Sequence, residues 1–452
     1  MNKRRHDNQA SLNQSTVFHD WWPLAASWGL MGLEMPCISV VVGNLPNPET
    51  MLAAFGGIAF PLGLLVEAPI IMMLAASTAL SRDSDSFRRL QRFMTCLAVL
   101  LTVLHALLAF TPLWEWVVVP ALDIPDMVQS PARESFAWLL PWTWAIADRR
   151  FRQGLLIQFG MKQVIVFGTG IRLIATIGTL LILAANEVPG ATLASASLSV
   201  GVIVEAVYVR FRSRSVVDGP LRSSPPAERP LVLRRLLKFY IPLALTPILI
   251  LAAQPIGAAG MTRMPNPLES LAVWAPLGGL IFLLRSSGIA YNEVCIRLGD
   301  LKDSYLQLKR FAWITGGLFA ALLALLAASP LAHFWLEQVV GLDAELASLG
   351  TRAIWLAVPI PLLTFLQSLY QGLLVNAHQT RPITEAVCCY LGITVAGMVA
   401  GVVFGSVTGL YVALLTYTAA NLAQTVWLYI RSKHLMRPPL RSMNVNIEPH
   451  FM

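Results

Sequence analysis

The feature that most constrains this chain is a succession of about twelve apolar blocks, each long enough to cross a membrane, which takes about 20 helical residues for a hydrocarbon layer of roughly 30 Å. Backbone groups in lipid must be satisfied within the segment, so each block is expected to be a helix. Composition agrees. Apolar residues make up 56% of the chain and charged ones 13%, against about 25% charged in soluble domains. An all-α polytopic membrane protein is the expected fold class, and a soluble enzyme or nucleic-acid binder is excluded.

The net charge of +8 is informative through its placement. Basic residues gather in alternate loops, at Lys3-x-Arg5, Arg82 to Arg92, Arg212 to Arg235, Arg297 to Arg310, Arg381 and Lys433. The intervening loops, such as Glu115 to Asp126 and Glu337 to Glu345, are acidic or neutral. The positive-inside rule then puts both termini in the cytoplasm. The reading divides the chain into a tail at 1–20, six spans over 21–211, a Pro- and Ser-rich linker at 212–236, six spans over 237–432, and a tail at 433–452. The linker is expected to lie outside any helix. The five cysteines all fall in expected spans, with no disulfide or metal spacing, and no HExxH pairing exists among the seven histidines. No resident cofactor or metal is expected, and GxxxxGK[ST] is absent, which excludes an ATP-driven pump within this chain.

Sliding the sequence on itself by 218 or 219 residues brings landmarks into register. Pro46-Asn47-Pro48 meets Pro265-Asn266-Pro267, Asp85-Ser86-Phe87 meets Asp303-Ser304-Tyr305, and Gln153-Gly154-Leu155-Leu156 meets Gln371-Gly372-Leu373-Leu374. Six spans per repeat is an even number, so the second half enters with the orientation of the first. Two parallel six-helix lobes are expected, with a solute site between or within them.

Ionisable residues inside spans cost about 2.5–3.5 kcal/mol to insert and are functional candidates by default. Glu34 corresponds to Ala253 in the other half, Asp148, Arg149, Arg150 and Arg152 to Leu366, Gln367, Ser368 and Tyr370, Arg172 to Tyr390, and Glu205 to Gln424. The first half keeps charge where the second is neutral. Glu34 and Glu67, each two residues before a proline, are the candidates for proton coupling. Arg149, Arg150, Arg152, Arg172 and Arg285 are the candidates for substrate, with Asp148, Glu205 and Gln254 in support. Glu205 is expected to neutralise Arg172. Four arginines against Asp148 and Glu205 leave surplus positive charge, which favours an anion through bidentate hydrogen bonds. Glu67 and Arg285 hold equivalent places and opposite charge; they pair with each other across a cavity or each within its own half.

The Pro-Leu openings of spans 1 and 7 (Pro23-Leu24, Pro242-Leu243), Leu52-Ala53-Ala54-Phe55-Gly56 and Gln153-Gly154-Leu155-Leu156 resemble the superfamily of multidrug and toxic compound extrusion (MATE) proteins and lipid-linked oligosaccharide flippases. Within it the chain looks most like bacterial relatives of the progressive ankylosis proteins. The resemblance implies a V-shaped pair of lobes with alternating access. It further implies export, in a bacterial inner membrane, of an organic anion, phosphorylated compound or drug, coupled to H⁺ or Na⁺. A lipid-linked glycan flippase, a major-facilitator transporter and a membrane-embedded transferase remain the alternatives. The partners expected are the bilayer and a small anionic solute, with no nucleic acid; the oligomeric state is left open, a monomer being one option.

Overall fold

The structure, a computed structural model, describes residues 12–225, 231–299, 304–377 and 379–436. Among the described residues every regular element is helical, and ten helices are long and apolar enough to cross a membrane. They are α1 (Gln14–Gly43), α2 (Pro48–Leu80), α3 (Ser84–Phe110), α5 (Gln163–Ala185), α6 (Gly190–Ser223), α7 (Leu233–Met261), α8 (Pro267–Leu298), α9 (Ser304–Ala328), α10 (Ala344–Asn376) and α11 (Arg381–Phe404). Two further rods complete the set of twelve. In α4 (Leu140–Gln158) four charged residues within five positions lower the hydropathy, and in α12 (Gly409–Ser432) Asn421, Gln424 and neighbouring threonines do so. The chain is an all-α polytopic membrane protein.

The repeat has a physical basis in contacts that recur at the same offset. A Cβ on Gly154 would run into the α2 backbone at Leu74 and the Ser77 side chain; one on Gly372 would run into Asn292 and Cys295 of α8. Each partner is displaced by 218 residues, so both lobes use one glycine to bring the same two helices together. Ser199 donates to the Trp138 carbonyl at 2.8 Å, and Thr418 donates to the Leu356 carbonyl at 2.6 Å, again at equivalent positions. The two Pro-Asn-Pro tripeptides form the same turn. Asn47 and Asn266 both take φ 56°, a left-handed conformation Asn tolerates better than most residues, and the following proline opens the next helix at its first position.

The lobes meet along α1 and α2 against α7 and α8. Gly56 lies in a π-helical stretch of α2, Ala53–Ala59, and a Cβ there would overlap that of Ala275 on α8. Further along, the Asn44 side-chain amide donates to the Val339 carbonyl at 2.9 Å, and Arg263 donates to the carbonyls of Pro120 and Ala121. At the arginine-rich face the chain enters helix at Gln14, inside the segment expected to be a tail, with Asn13 capping it. That first part of α1 packs on the opposite lobe. Trp21 is buried, donates to the Ser287 carbonyl at 2.9 Å and meets Phe311 edge-on. Gln14 reaches Gln307, and Asp20 pairs with Arg297.

α1 breaks at Leu33, dividing Gln14–Gly32 from Glu34–Gly43. The expected linker also differs. Residues Arg212 to Asp218 continue α6 as helix, because Arg, Ser and Val are all compatible with it, and the turn waits for Gly219-Pro220. Residues 226–230 of the linker, 1–11 of the first tail and 437–452 of the second lie outside the described residues.

A buried charge network as the candidate functional site

Spacing on three helices builds the network. Residues four apart share a helix face, and each such pair here serves one carboxylate. Arg172 and Thr176 of α5 both reach Glu34, which opens the second part of α1: the guanidinium lies 3.0 Å from Glu34 Oε2, and the Thr176 hydroxyl donates to Oε1 at 3.0 Å. Arg149 and Gln153 of α4 both reach Glu205 of α6, at 2.6 Å to Oε2 and 3.0 Å to Oε1. Arg172 Nη1 stands 3.8 Å from the same Glu205 oxygen, which joins the two clusters. On the adjacent face of α4, Asp148 accepts from Arg152 at 2.9 Å and from Arg210 of α6 at 3.0 Å. Arg152 also donates to the Ser213 hydroxyl at 3.1 Å.

Burial makes these contacts consequential. Glu205 is 0% exposed, Arg149 3% and Glu34 7%. A lone charge at such a depth is several kcal/mol unfavourable, so each must be held by an opposite charge and hydrogen bonds. Most are. Glu67 is the exception: it is 1% exposed, its Oε1 has no hydrogen-bond partner, and the charges facing it are Arg149 and Arg150. Arg150 points away from Arg149 by one helical step and makes neither an ion pair nor a hydrogen bond among the described residues; its Nε is buried without a partner.

Arg285 does not join this network. Its Nε is also buried and unpartnered, and the polar group it faces is the Tyr390 ring hydroxyl on α11. Glu67 and Arg285 therefore do not pair with each other; each faces groups of its own lobe. Equivalent positions on α2 and α8 look toward the helices that follow them in their own bundles. The C-terminal counterpart of the network is uncharged: Gln367 donates to the Asn421 carbonyl at 3.0 Å and to the Thr425 hydroxyl at 3.2 Å. Gln254 is half-buried and forms no hydrogen bond among the described residues.

No protein-family model matches the sequence, and no curated protein matches it. Solved structures do. An inward-facing multidrug resistance MATE family transporter of the MOP superfamily superimposes with TM-score 0.69 at 14% identity, over 91% of this chain and 98% of that one. The fold is the MATE fold. The lipid II flippase MurJ in an inward closed conformation gives TM-score 0.67 at 12% identity, over 91% of this chain and 87% of its own. The Vibrio cholerae MATE transporter VcmN in its bent form gives 0.61 at 12%, over 94% and 98%. At these identities the likeness speaks for architecture, and the major-facilitator alternative is set aside on that ground.

Within this MATE fold, two expectations about the charges are refined. Glu205 does reach Arg172, as expected, but at 3.8 Å; it lies nearer Arg149, at 2.6 Å, and the nearer partner of Arg172 is Glu34. Of the four arginines expected to carry surplus charge, Arg149, Arg152 and Arg172 each meet a carboxylate within 3.0 Å, Glu34 adding to Asp148 and Glu205, so the surplus narrows to Arg150. Among the described residues, Arg150 and Arg285 are the two of the five that lack an acidic partner within salt-bridge distance. Sequence reading missed Thr176, Gln153, Ser213 and Arg210 as members. The four-residue step from Arg172 to Thr176 and from Arg149 to Gln153 was the available signal, but Thr and Gln in spans are too common to stand out.

Proposed function

We propose that this chain is a secondary transporter or flippase of the MOP type, which moves an organic anion or phosphorylated compound by alternating access, with proton movement through Glu67 and Glu34. The observation that carries the reading is the position of Glu34. It sits at the break in α1, held by Arg172 and Thr176 of its own lobe, while the other half of the same helix is anchored on the opposite lobe through Trp21. Relative motion of the lobes must bend α1 at Leu33 and so pull on the Glu34 contacts. Protonation of Glu34 weakens its hold on Arg172, which provides a physical link between proton occupancy and lobe position.

Glu67 suits the entry step. It lies two residues before Pro69, whose carbonyl accepts from Tyr240 of the facing lobe at 2.6 Å, and one of its carboxyl oxygens is free of internal partners. Arg150 and Arg285 are the cations left to attract an anion, one in each half. The resemblance to relatives of the progressive ankylosis proteins points toward such a solute. The test is proton movement in proteoliposomes carrying a trapped pH dye, driven by gradients of citrate, phosphate esters and nucleotides, with a fluorescent lipid translocation assay run in parallel. Glu67→Gln and Glu34→Gln should each abolish proton movement, and Arg150→Gln with Arg285→Gln should abolish dependence on the anion. Solute movement that persists at parental rate in Glu34→Gln refutes the coupling role.

A further inference from the structure

We infer that an anionic phospholipid of the leaflet on the arginine-rich face binds a built headgroup pocket between α3, α4 and α6. A cavity of about 230 Å³ opens there, walled by Phe87 and Gln91 of α3, Arg152 of α4, and Arg210 and Arg214 of α6, with Asp218 at its end. Gln91 also borders a second depression of about 310 Å³, which is lined by Arg88, Arg92 and Cys96. Five arginines thus face this region, against the carboxylates of Asp148 and Asp218.

Two features make the pocket more than a basic surface. First, two of its guanidinium groups, those of Arg152 and Arg210, are fixed. Asp148 accepts two hydrogen bonds from Arg152 and two from Arg210, and Ser213 accepts another from Arg152. Side chains held in this way lose little freedom when they take up a phosphate, and the planar fork suits its oxygens. Arg214 is exposed and has no partner among the described residues, so its charge is available.

Second, an apolar track leaves the pocket in the direction an acyl chain would take. Arg88, Arg92, Cys96, Val99, Val103 and Leu107 follow one another along α3 at steps of three or four, and so form one stripe. Val99, Val103 and Leu107 on it are 47%, 49% and 43% exposed, as a lipid-facing surface would be. Phosphate chemistry at the head and hydrocarbon along the stripe together fit a phospholipid. A soluble phosphate ester would use only the head. Because Asp148 and Arg152 stand beside Arg149 and Gln153 on α4, an occupant of this pocket touches the helix that holds Glu205.

The experiment uses the full-length protein, purified in detergent with equimolar phosphatidylglycerol and phosphatidylcholine, and counts retained lipids by native mass spectrometry. The parent should retain phosphatidylglycerol about tenfold over phosphatidylcholine, equivalent to about 1.4 kcal/mol. Arg214→Gln alone should reduce that preference severalfold, and Arg210→Gln with Arg214→Gln should remove it. Arg352→Gln, an exposed arginine on another helix, should leave it intact. Arg214 makes no internal contact, so its replacement tests the pocket without disturbing the fold. Equal retention of both lipids by the parent, or an unchanged preference in the double variant, overturns the inference. Displacement of the lipid by millimolar inorganic phosphate overturns it too, since the ligand would then be a soluble phosphate.

Discussion

Removing one member of the Arg149–Glu205 pair should cost far more than removing both. The guanidinium and carboxylate are 2.6 Å apart and almost fully buried. At an effective dielectric of about 20 and a charge separation of about 4 Å, their attraction is about 4 kcal/mol. Breaking a buried pair by deleting one partner typically costs about 3–5 kcal/mol, because the other charge stays buried. Glu205→Gln leaves Arg149 with Glu67 as the remaining acid facing it, and Arg149→Gln leaves Glu205 with Arg172 at 3.8 Å. Each single variant should therefore lose about 3 kcal/mol. The double variant carries glutamine at both positions, as the second half does at Gln367 and Gln424, and should lose markedly less than the sum. Unfolding in mixed SDS micelles, followed by tryptophan fluorescence, gives the three free energies. Ordinary interhelical hydrogen bonds in a bilayer couple by only about 0.6 kcal/mol, so a coupling above about 2 kcal/mol identifies an ion pair. Additivity within about 0.5 kcal/mol would refute the pairing.

Three further outcomes follow from single contacts. Gly201→Ala places a Cβ on the Thr176 hydroxyl and should destabilise by about 1–3 kcal/mol while releasing Thr176 from Glu34; combining it with Thr176→Ala should recover most of the loss in the same unfolding assay. Trp21→Ala empties a buried site on the opposite lobe, at about 3–5 kcal/mol of packing. It should lower the yield of disulfide cross-linking between Gln14→Cys and Gln307→Cys, whose parent side chains touch at 2.8 Å, and an unchanged yield would show that Trp21 does not hold α1 there. His105→Phe leaves the buried Thr143 hydroxyl and Phe136 carbonyl without their ring partner, at about 1–3 kcal/mol; a thermal midpoint equal to the parent's would contradict this.

Much of the architecture was legible because its causes are local. The apolar blocks mark about twelve spans, and the Pro-Asn-Pro turns and the glycines at 154 and 372 report the repeat because backbone geometry demands those residue types. The charged positions were also visible, since a span rarely tolerates Glu or Arg. Their partners were legible only in part. One residue along a helix turns a side chain by about 100°, and that angle decides how closely Glu205 approaches Arg149, at 2.6 Å, and Arg172, at 3.8 Å. Arg210 was hidden for another reason: near a span end an arginine ordinarily snorkels to water, and its grip on Asp148 depends on how closely α4 and α6 cross. The helical entry at Gln14 was hidden because His19 and Asp20 lower the hydropathy there, although Trp21 buries that turn against the other lobe.

The uncharged counterpart of the network in the second half bears on why the first half is charged there. The shared contacts, Gly154 and Gly372 against a neighbouring backbone and Ser199 and Thr418 to a carbonyl, depend on small side chains and main-chain atoms. They fix the crossing of helices whatever charge lies beside them. The C-terminal lobe makes the equivalent crossings with Gln367, Asn421 and Thr425, so the scaffold does not require an arginine and a glutamate there. Buried ion pairs seldom improve stability over a well-packed neutral substitute, so the proposed transport role accounts for the charges better than packing does. On that argument the Arg149→Gln, Glu205→Gln double variant should fold nearly as well as the parent and yet fail to move protons in proteoliposomes. A double variant that both folds and transports at the parental rate would remove the network from the mechanism.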